Sequence, residues 1–413
     1  MFLSERLMKK MNFIDLFAGA GGLSEGFVKA GFEPIAHVEM DAHACKTLET
    51  RNYYYSLKKA NKLQVYYDYL LGNISHKDLS ESVLNRLDNV INASIGDDNT
   101  SIFNRIDELT KGREVDLIIG GPPCQAYSVV GRHRINKLEA DDPRNLLYRQ
   151  YARFLKKYNP KVFVFENVLG ILSAEEGRYF NNIKVYFRTL GYELESRVLN
   201  TSDYGVLQNR KRVIIIGWKK GSDFSYPELI AESNPYTVAD ILEDLAYLKP
   251  GDQNNITNYA SDTNEYLEKS AIRNGADFVT QHVARTHNDR DLEIYKIAID
   301  KWLNNRERLK YGDLPERLKT HKNQNSFVDR FKVVDINSYS HTVLAHIAKD
   351  GHYYIYPSTE QVRSLSVREA ARIQSFPDDY YFEGGRSAAF KQIGNAVPPL
   401  MALKIAEEIK GSL

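Results

Sequence analysis

The residue best suited to chemistry in this sequence is Cys124. It follows the apolar run 115–120 and the glycines and prolines of GGPPC, which predicts a stiff loop at the end of a buried strand. Ligand binding and catalysis favour that edge of an α/β sheet. Only a thiolate is a nucleophile, so a cysteine there needs nearby positive charge or coupled proton transfer, which Arg210 or Arg212 could supply. Position alone leaves a catalytic role and a packing role equally open.

The other cysteine, Cys45, lies in an amphipathic stretch after Asp41 and is interpreted as a small buried apolar residue. Two cysteines in 413 residues argue against a disulfide scaffold and favour a reducing compartment. The N-terminus does not read as a secretion signal, and no apolar run approaches the roughly 20 residues that span a bilayer. We therefore expect a soluble, cytoplasmic protein without a membrane partner.

A glycine-rich turn is a candidate cofactor site. Residues 13–27 read FIDLFAGAGGLSEGF, an apolar strand that runs into glycines and then a helix, as at the nucleotide-like ligand sites of doubly wound folds. The spacing Gly19-x-Gly21-x-x-Ser24 lacks the third glycine of the dinucleotide pattern, which weakens a dehydrogenase. Glu39 ends the next apolar segment, 20 residues after Gly19, where an acid can bind ribose hydroxyls. A packing turn with a solvated acid is the alternative.

A parallel sheet is needed to bring these residues together. Short apolar runs alternate with amphipathic stretches from Phe13 to about Trp218, the pattern typical of βαβ units. Strands are predicted at 12–17, 34–39, 115–120, 161–165, 192–199 and 212–218. Apolar residues at helical spacing predict a covering helix over 146–155.

A second domain is predicted after about Pro227. A chain of 413 residues favours two domains, or one domain with a large insertion. Polar, asparagine-rich stretches predominate at 250–275 and 303–326, with fewer apolar strand patterns. A final amphipathic helix over 395–410 is predicted, with Pro398 and Pro399 near its first turn.

Charge is informative only locally. The net charge of +1 neither requires nor excludes nucleic acid. Residues 301–332 carry nine Lys and Arg against four Asp and Glu, and the trio Arg132, His133 and Arg134 follows Cys124 closely. Both basic segments are candidate phosphate contacts.

Six blocks of the sequence resemble those of the cytosine-5 DNA methyltransferases, in the order of that family. They are FIDLFAGAGG, GGPPCQ, FENV, QNRKRV, LSVREAARIQSFPDDY and IGNAVPP. They span 13–399, and the unmatched part is mainly 219–360, where that family keeps its variable target-recognition region. The resemblance implies a doubly wound mixed sheet of the S-adenosylmethionine-dependent methyltransferase type with a smaller inserted domain. It places a catalytic domain at 1–225 plus 391–413 and a target-recognition domain at 226–390.

The resemblance makes Cys124 a covalent nucleophile toward C6 of a cytosine extruded from double-stranded DNA. Protonated Glu166 would bind N3 and the exocyclic amine of the cytosine. Because N3 can then take up a proton, the attack of Cys124 leaves an enamine rather than a carbanion. Arg212 would reach O2 of the base, Arg210 would help organise the catalytic loop, and Asn167 belongs to the same catalytic set. Methyl transfer to C5, removal of the C5 proton by a base and expulsion of Cys124 complete the reaction, with no metal.

By the same resemblance, S-adenosylmethionine is the cosubstrate. Its predicted contacts are Phe17, Ala18, Gly19, Gly21, Gly22, Leu23, Glu39, Met40, Asp97, Leu147, Asn395 and Val397. Met40 stands where members of the family often have tryptophan, so stacking on the adenine would be softer. Asp97 is the predicted adenine-contacting acid, with Asp98 or a residue nearer 104 as alternatives. Residues Arg363, Arg368 and Glu369 are interpreted as structural.

Three other classes predict different residues. The transfer-RNA-methylating branch of the family typically has Cys-Phe-Thr in its recognition region, which is impossible here because both cysteines precede residue 125. That disfavours RNA as the substrate. A nicotinamide-dependent dehydrogenase would leave Cys124 and Glu166 without a role, and an inactive DNA-binding descendant would have lost Cys124, Glu166 or Arg212. Cys124, Glu166 and Arg212 are all present in this sequence.

The expected function is therefore methylation of C5 of a cytosine within a specific sequence of double-stranded DNA. The length of the chain, with no extra regulatory domain, most resembles the bacterial modification methylases. We accordingly expect a monomer in the bacterial cytoplasm that belongs to a restriction–modification system. Its cognate restriction endonuclease would act separately.

Overall fold

A computed structural model describes residues 10–84, 88–123, 147–320 and 329–413. The strands in these ranges are β1 (Asn12–Leu16), β2 (Glu33–Glu39), β3 (Val90–Asn92), β4 (Leu117–Gly120), β5 (Val162–Asn167), β6 (Tyr192–Asn200), β7 (Gln208–Asn209), β8 (Lys211–Lys219), β9 (Ile256–Asn258), β10 (Phe278–Thr280) and β11 (Ser340–His341). The α-helices are α1 (Gly22–Lys29), α2 (Ala42–Lys59), α3 (Leu63–Leu70), α4 (His76–Glu81), α5 (Thr100–Thr110), α6 (Leu147–Tyr158), α7 (Gly170–Ser173), α8 (Arg178–Thr189), α9 (Ala239–Leu242), α10 (Glu265–Lys269), α11 (Asp289–Asn305), α12 (Val367–Ile373), α13 (Arg386–Asn395) and α14 (Pro399–Ser412). No helix in the described ranges combines the length and the apolar character needed to cross a bilayer.

Seven strands form one sheet in the order β3-β2-β1-β4-β5-β8-β6. From β3 to β5 the neighbouring strands are parallel, whereas β8 is antiparallel to both β5 and β6. The chain leaves β1 toward β2 on one side, and β4 pairs with the other side of β1, so a topological switch point lies between β1 and β4. The doubly wound mixed sheet predicted from the sequence is confirmed.

The central strands are apolar runs buried on both faces, as parallel strands covered by helices must be. Since side chains alternate along a strand, Phe13 and Ile14 of β1 face opposite sides of the sheet. Phe13 joins a core that includes residues of α1 and α14, and Ile14 joins a core that includes residues of α5, α6 and α8. Two helical layers therefore hold the sheet rigid and leave the strand ends to carry polar residues.

The predicted strands agree with β1, β2, β4, β5, β6 and β8 to within two residues at each end. The predicted helices over 146–155 and 395–410 correspond to α6 and α14. Strand β3 is missed, because its three residues Val90–Asn92 are too short and too exposed to show an apolar pattern. Strand β5 runs past the predicted end at 165, since Glu166 and Asn167 stay paired with Ile214 and Val213 of β8.

Glycine at position 26 allows α1 and α14 to pack backbone against backbone. A Cβ atom at Gly26 would lie 2.3 Å from the Leu403 nitrogen and 2.4 Å from the Ala402 carbonyl carbon. These are main-chain atoms of a helix, so they cannot move aside as a flexible side chain would. The contact holds the helix that follows the glycine-rich turn against the last helix of the sequence.

Gly26→Ala is expected to lower the free energy of unfolding by about 1–3 kcal/mol, because one methyl group overpacks this contact. Urea unfolding followed by circular dichroism measures the change. Gly411→Ala is the matched control, since a Cβ at this position of α14 meets nothing within 4 Å. Equal unfolding midpoints for the two variants would contradict the packing argument.

The chain after β8 builds further cores beside the sheet. One of them joins Leu207 to apolar residues of α9, α12 and α13, and β11 pairs in parallel with β7. Buried arginines hold this part together. Arg363 pairs with Glu369 at 2.7 Å, and Arg368 donates to the carbonyl oxygens of Thr280 and Tyr380. These partners are internal, which agrees with the structural interpretation of Arg363, Arg368 and Glu369.

A second buried cluster centres on Arg372 of α12. Its guanidinium donates to both carboxylates that flank it, those of Asp244 and Asp378, and also to the Ile241 carbonyl oxygen at 2.8 Å. Burial disfavours all these charges, yet the Arg372 guanidinium holds the pKa of Asp378 below its usual range. Asp244 and Arg372 are 128 residues apart, so the cluster ties α9 to α12.

Candidate active site

Glu166 and Arg212 meet at the carboxyl end of β5. Strand β8 begins antiparallel beside that end, which places Arg212 at the same edge of the sheet. The Arg212 Nε atom lies 2.8 Å from Glu166 Oε1, and the two side chains are only 10% and 13% exposed. Burial lowers the pKa of the Arg212 guanidinium, and the neighbouring Glu166 opposes that shift. The result is a shielded acid and a fixed cation side by side.

Strand β4 delivers the Gly-Gly-Pro-Pro turn to this pair. A Cβ at Gly121 would lie 2.5 Å from Glu166 Oε2, so only glycine allows this approach. Asn167 Nδ2 donates to the Pro122 carbonyl oxygen at 3.2 Å. Cys124 itself lies in the segment 124–146, outside the described residues. The structure thus brings Glu166, Arg212 and Asn167 together where the chain enters the Cys124 segment.

Arg210 is buried and connects three segments of the chain. Its Nη1 atom donates to the Val343 carbonyl oxygen at 2.7 Å, and its Nη2 atom donates to the Gly394 carbonyl oxygen at 3.2 Å. Burial and then the charge of Arg212 hold the pKa of Arg210 well below its usual range. The side chain positions the start of β8 against both later segments. Its role toward the catalytic loop stays a prediction, because that loop is not among the described residues.

At Gly19 the glycine loop after β1 presents its backbone to open space. Phe17, Gly19 and Gly21 have φ angles of +57°, +55° and +81°, in the left-handed region that glycine adopts without strain. The Gly19 N–H donates to Glu39 Oε2 at 2.8 Å, which joins the end of β2 to the loop. A Cβ at Gly19 would meet nothing within 4 Å. The loop therefore offers a bare main-chain surface beside a carboxylate.

The remaining predicted cofactor contacts of the loop pack between strand β2, the core beneath the loop and the segment around Val397. Ala18 N–H donates to the Val38 carbonyl oxygen at 3.1 Å, and Leu23 is buried in the core beneath the loop. A Cβ at Gly22 would lie 2.3 Å from the Val397 carbonyl oxygen. The structure therefore places the segment around Val397 directly on the loop, and the exposed Asn395 lies two residues earlier, at the end of α13.

Met40, Asp97 and Leu147 lie near the neighbouring strand ends. The Met40 side chain is 68% exposed beside Glu39, and Leu147 is half-buried at the start of α6. Asp97 Oδ1 accepts from Gln150 Nε2 of the same helix at 3.0 Å. The alternative acid, Asp98, accepts from the Thr100 N–H at 2.9 Å, just before α5. Each acid thus has a hydrogen bond within the chain, and the choice of Asp97 stays a prediction.

Cys45 is buried beneath Glu39, as expected for a packed residue. Its Sγ donates to the Glu39 carbonyl oxygen and accepts from Asn92 Nδ2 at 3.1 Å. Burial raises the pKa of the Cys45 thiol to about 12. At neutral pH this cysteine is a thiol, so it is not a nucleophile.

Cys45 is therefore expected to stay unmodified when the native protein is treated with iodoacetamide at pH 8. Peptide mass spectrometry measures the modification, and the same treatment after guanidinium unfolding is the control in which Cys45 should react fully. Reaction of Cys45 in the native protein at the rate of the unfolded one would contradict the burial seen here.

The basic run 301–332 is less available for phosphate than its composition indicates. Five of its side chains have carboxylate partners, namely Lys301 with Asp313, Arg306 with Asp335, Arg317 with Glu293, Lys319 with Glu316, and Lys332 with Asp329. These pairs leave fewer lysines and arginines of the run free to bind phosphate, and two of the partners, Asp335 and Glu293, come from outside the run. The second basic segment, Arg132 to Arg134, lies outside the described residues.

Sequence reasoning missed Gln208 and Tyr380, which support the site from behind. Gln208 Nε2 donates to the Ile373 carbonyl oxygen, and its Oε1 accepts from the Val343 N–H at 2.8 Å. The Tyr380 hydroxyl donates to the carbonyl oxygen of Ala20 in the glycine loop. Gln208 and Tyr380 lie inside the blocks QNRKRV and SFPDDY that resemble the family. The blocks therefore mark these residues, but they do not reveal which groups the residues hydrogen-bond.

Comparison with known proteins places this geometry in a family. The model of the family described as C-5 cytosine-specific DNA methylase matches residues 11–75 and 85–411. Type II methyltransferase M.Bpa9945I of Bacillus paralicheniformis is 43% identical over 97% of this chain and 98% of its own length. Type II methyltransferase M1.HphI of Haemophilus parahaemolyticus is 33% identical over 99% of this chain and 89% of its own length.

A solved structure supports the fold. It is described as a DNA modification methyltransferase encoded within an E. coli prophage, and it aligns with a TM-score of 0.68 at 24% identity. The alignment covers 98% of this chain and 99% of that one. Together, the profile match over nearly the whole chain and the relative at 43% identity show that this protein belongs to the C-5 cytosine-specific DNA methylase family and is a DNA (cytosine-5-)-methyltransferase.

Proposed function

We propose that the edge of the sheet around Glu166 and Arg212 takes up a cytosine flipped out of double-stranded DNA and that Cys124 attacks it covalently. The observation that carries the proposal is the 2.8 Å contact between Arg212 Nε and Glu166 Oε1 at the end of β5. The Asn167 bond to Pro122 supports it, because it anchors the chain two residues before Cys124. A base must leave the duplex to reach such a recessed edge.

The proposed reaction assigns one task to each side chain. The Cys124 thiolate forms a bond to C6 while Glu166 gives a proton to N3, so the displaced electron pair is held as an enamine that makes C5 nucleophilic. Arg212 donates to O2 of the base. After C5 is methylated, a base removes the C5 proton, the C5–C6 double bond re-forms and the C–S bond breaks, which returns the thiolate. N3 then gives its proton back to Glu166, which restores the neutral base and the protonated acid.

The glycine loop is the proposed site of S-adenosylmethionine. Glu39 Oε2 accepts one N–H, from Gly19, and so keeps a lone pair for a ribose hydroxyl, while the exposed Met40 offers an apolar surface to an adenine. The open space at Gly19 suits a close approach of the ligand to the main chain. S-adenosylmethionine, when bound here, supplies the methyl group. The residues of the loop would hold and orient it toward the β4 edge.

The wider assignments are part of the same proposal. The enzyme would act on one specific DNA sequence as the modification partner of a separate restriction endonuclease, as a monomer in the bacterial cytoplasm. Residues 1–225 plus 391–413 would form the catalytic domain and 226–390 the target-recognition domain. This division stays a prediction, although the additional core around α9, α12 and α13 is compatible with it.

The test has two stages. First, 5-methylcytosine is mapped in the DNA of cells that express the full chain, and a recurring methylated sequence is expected. Second, the purified protein is incubated with S-adenosylmethionine and a duplex that carries 5-fluorocytosine at the mapped cytosine. Since fluorine cannot leave C5 as a proton does, the enzyme should remain attached to the DNA, and peptide mapping should place the attachment at Cys124.

A duplex that already carries 5-methylcytosine at that position is the control, and it should accept no radiolabelled methyl group. Methylation of an RNA duplex instead of DNA would show that the substrate class is wrong. Attachment at any residue other than Cys124 would overturn the assignment of the nucleophile.

A further inference from the structure

A cleft of about 610 Å³ opens at the edge of the sheet where β6 and β8 pair, and none of the described residues that line it is acidic. The lining residues are Leu169, Asn200, Asn209, Lys211 and Thr342. Leu169 follows the end of β5, and Asn200 lies directly opposite Lys211 where β6 pairs with β8. The cleft therefore shares its edge of the sheet with the proposed base-binding residues.

Lys211 is the exposed member of the run Arg210-Lys211-Arg212. Arg210 donates to main-chain carbonyl oxygens and Arg212 is paired with Glu166, so both of these charges are engaged. Lys211 is exposed, and within the described part of the chain it has no carboxylate at ion-pair distance. Its ammonium group is the free cation of this edge among those residues.

Asn209 adds a neutral donor on the same face. Alternate residues of an extended segment point the same way, and burial alternates accordingly from Gln208 to Arg212, with Asn209 and Lys211 exposed. Asn209 Oδ1 accepts from Asn200 Nδ2 at 3.2 Å, which turns the Asn209 amide so that its Nδ2 remains a donor. The Thr342 hydroxyl donates to the Asn209 carbonyl oxygen at 2.7 Å and fixes the main chain there.

A cation and an amide donor on one face, without an acid, select an oxyanion. We propose that Lys211 and Asn209 bind one backbone phosphate of the DNA strand that carries the target cytosine, close to the flipped nucleotide. Lys211 and Arg212 begin β8 together but point to opposite faces, so the phosphate would lie on the outer, cleft side of the edge whose inner side carries the proposed base-binding Arg212. Lys211 would then act as a positioning residue that holds the strand while the base is out of the stack, and it would read no bases.

The test compares Lys211→Gln and Asn209→Ala with the wild type on a duplex that contains the mapped target. One phosphate contact contributes about 0.9 to the slope of log affinity against log salt. Lys211→Gln is expected to lower that slope by about 0.9 and to weaken binding several-fold at low salt. Asn209→Ala should weaken binding and leave the slope unchanged. Lys220→Gln, an exposed lysine beyond the other end of β8, is the control and should change neither quantity.

A set of duplexes with one uncharged methylphosphonate linkage at successive positions locates the phosphate. The wild type should lose affinity at a linkage within about two nucleotides of the target on its own strand, and Lys211→Gln should lose none at that linkage. An unchanged salt slope in Lys211→Gln would overturn the Lys211 proposal while wild-type methylation still stands. Absence of wild-type methylation would overturn the proposed function and this inference with it.

Discussion

Glu166→Gln is expected to lower the rate of methyl transfer by about 10²–10⁴-fold, the range that general acid catalysis contributes. Glutamine is nearly the same size and still offers an oxygen to Arg212 Nε, which lies 2.8 Å from Glu166 Oε1, so the edge of the sheet should keep its geometry. An amide nitrogen cannot give a proton to N3 of the cytosine. The attack of Cys124 would then leave a carbanion-like ring without a proton to stabilise it. Single-turnover transfer of a radiolabelled methyl group to duplex DNA measures the loss.

Glu195→Gln is the matched control for this prediction. Glu195 lies on β6 of the same sheet, where it pairs with Arg197 at 2.8 Å and is about half exposed. This variant should keep the wild-type rate and melting temperature, and both variants are assayed at a temperature at which circular dichroism shows them folded. A Glu166→Gln rate within threefold (about 0.7 kcal/mol of barrier) of the wild type would exclude proton transfer from Glu166.

Arg372→Met is expected to lower the free energy of unfolding by about 3–5 kcal/mol, because it leaves buried carboxylates without their counter-charge. The Arg372 side chain is 0% exposed, and those of Asp244 and Asp378 are 3% and 1% exposed. Asp244 would keep Arg273 at 3.3 Å, and Asp378 would keep the Tyr259 hydroxyl at 2.8 Å and the more distant Arg368 at 4.0 Å. None of these replaces the guanidinium that donates to both carboxylates. Urea unfolding measures the change.

The same cluster predicts the direction of the pH dependence. Because the folded pKa of Asp378 lies below its usual value of 3.8, its stabilising contribution is complete above that pH and is lost as the pH falls through the folded pKa.

Arg178→Met is the control for the Arg372→Met substitution, since Arg178 pairs with Glu175 on the surface with 74% of its side chain exposed. That variant should change stability by less than about 1 kcal/mol. Equal losses for Arg178→Met and Arg372→Met would refute the argument from burial.

Much of the sheet could be predicted because its strands are continuous apolar runs. The pattern fails where strands become polar, as at Glu166 and Asn167, and where they are short, as in β3. Pairing with β8 keeps Glu166 and Asn167 in β5, and no local property of those two residues reveals it. The buried partners of Arg372 are likewise invisible locally, because Asp244 is 128 residues away.

The sequence predicts which residue types form the site, but not which groups their side chains contact. The motif QNRKRV indicates a basic edge of the sheet. Only the folded chain shows that Arg210 donates its hydrogen bonds to the carbonyl oxygens of Val343 and Gly394, whereas Lys211 is exposed. Composition favoured the run 301–332 as a phosphate surface, whereas its acidic neighbours, several of them distant in sequence, neutralise five of its cations. The sequence shows how many charged side chains a segment has, and the fold decides which of them remain free to bind a phosphate.

The close packing of α1 on α14 affects how the enzyme is made. The helix after the glycine loop is synthesised long before the backbone it packs against, around Leu403. At typical synthesis rates of 5–20 residues per second, roughly 20 to 75 s separate the two. During that interval the newborn chain holds Gly26 without its partner, so we expect the glycine loop to be protected from protease only after α14 has been released. Protease digestion of chains arrested before and after α14 leaves the ribosome would test this order.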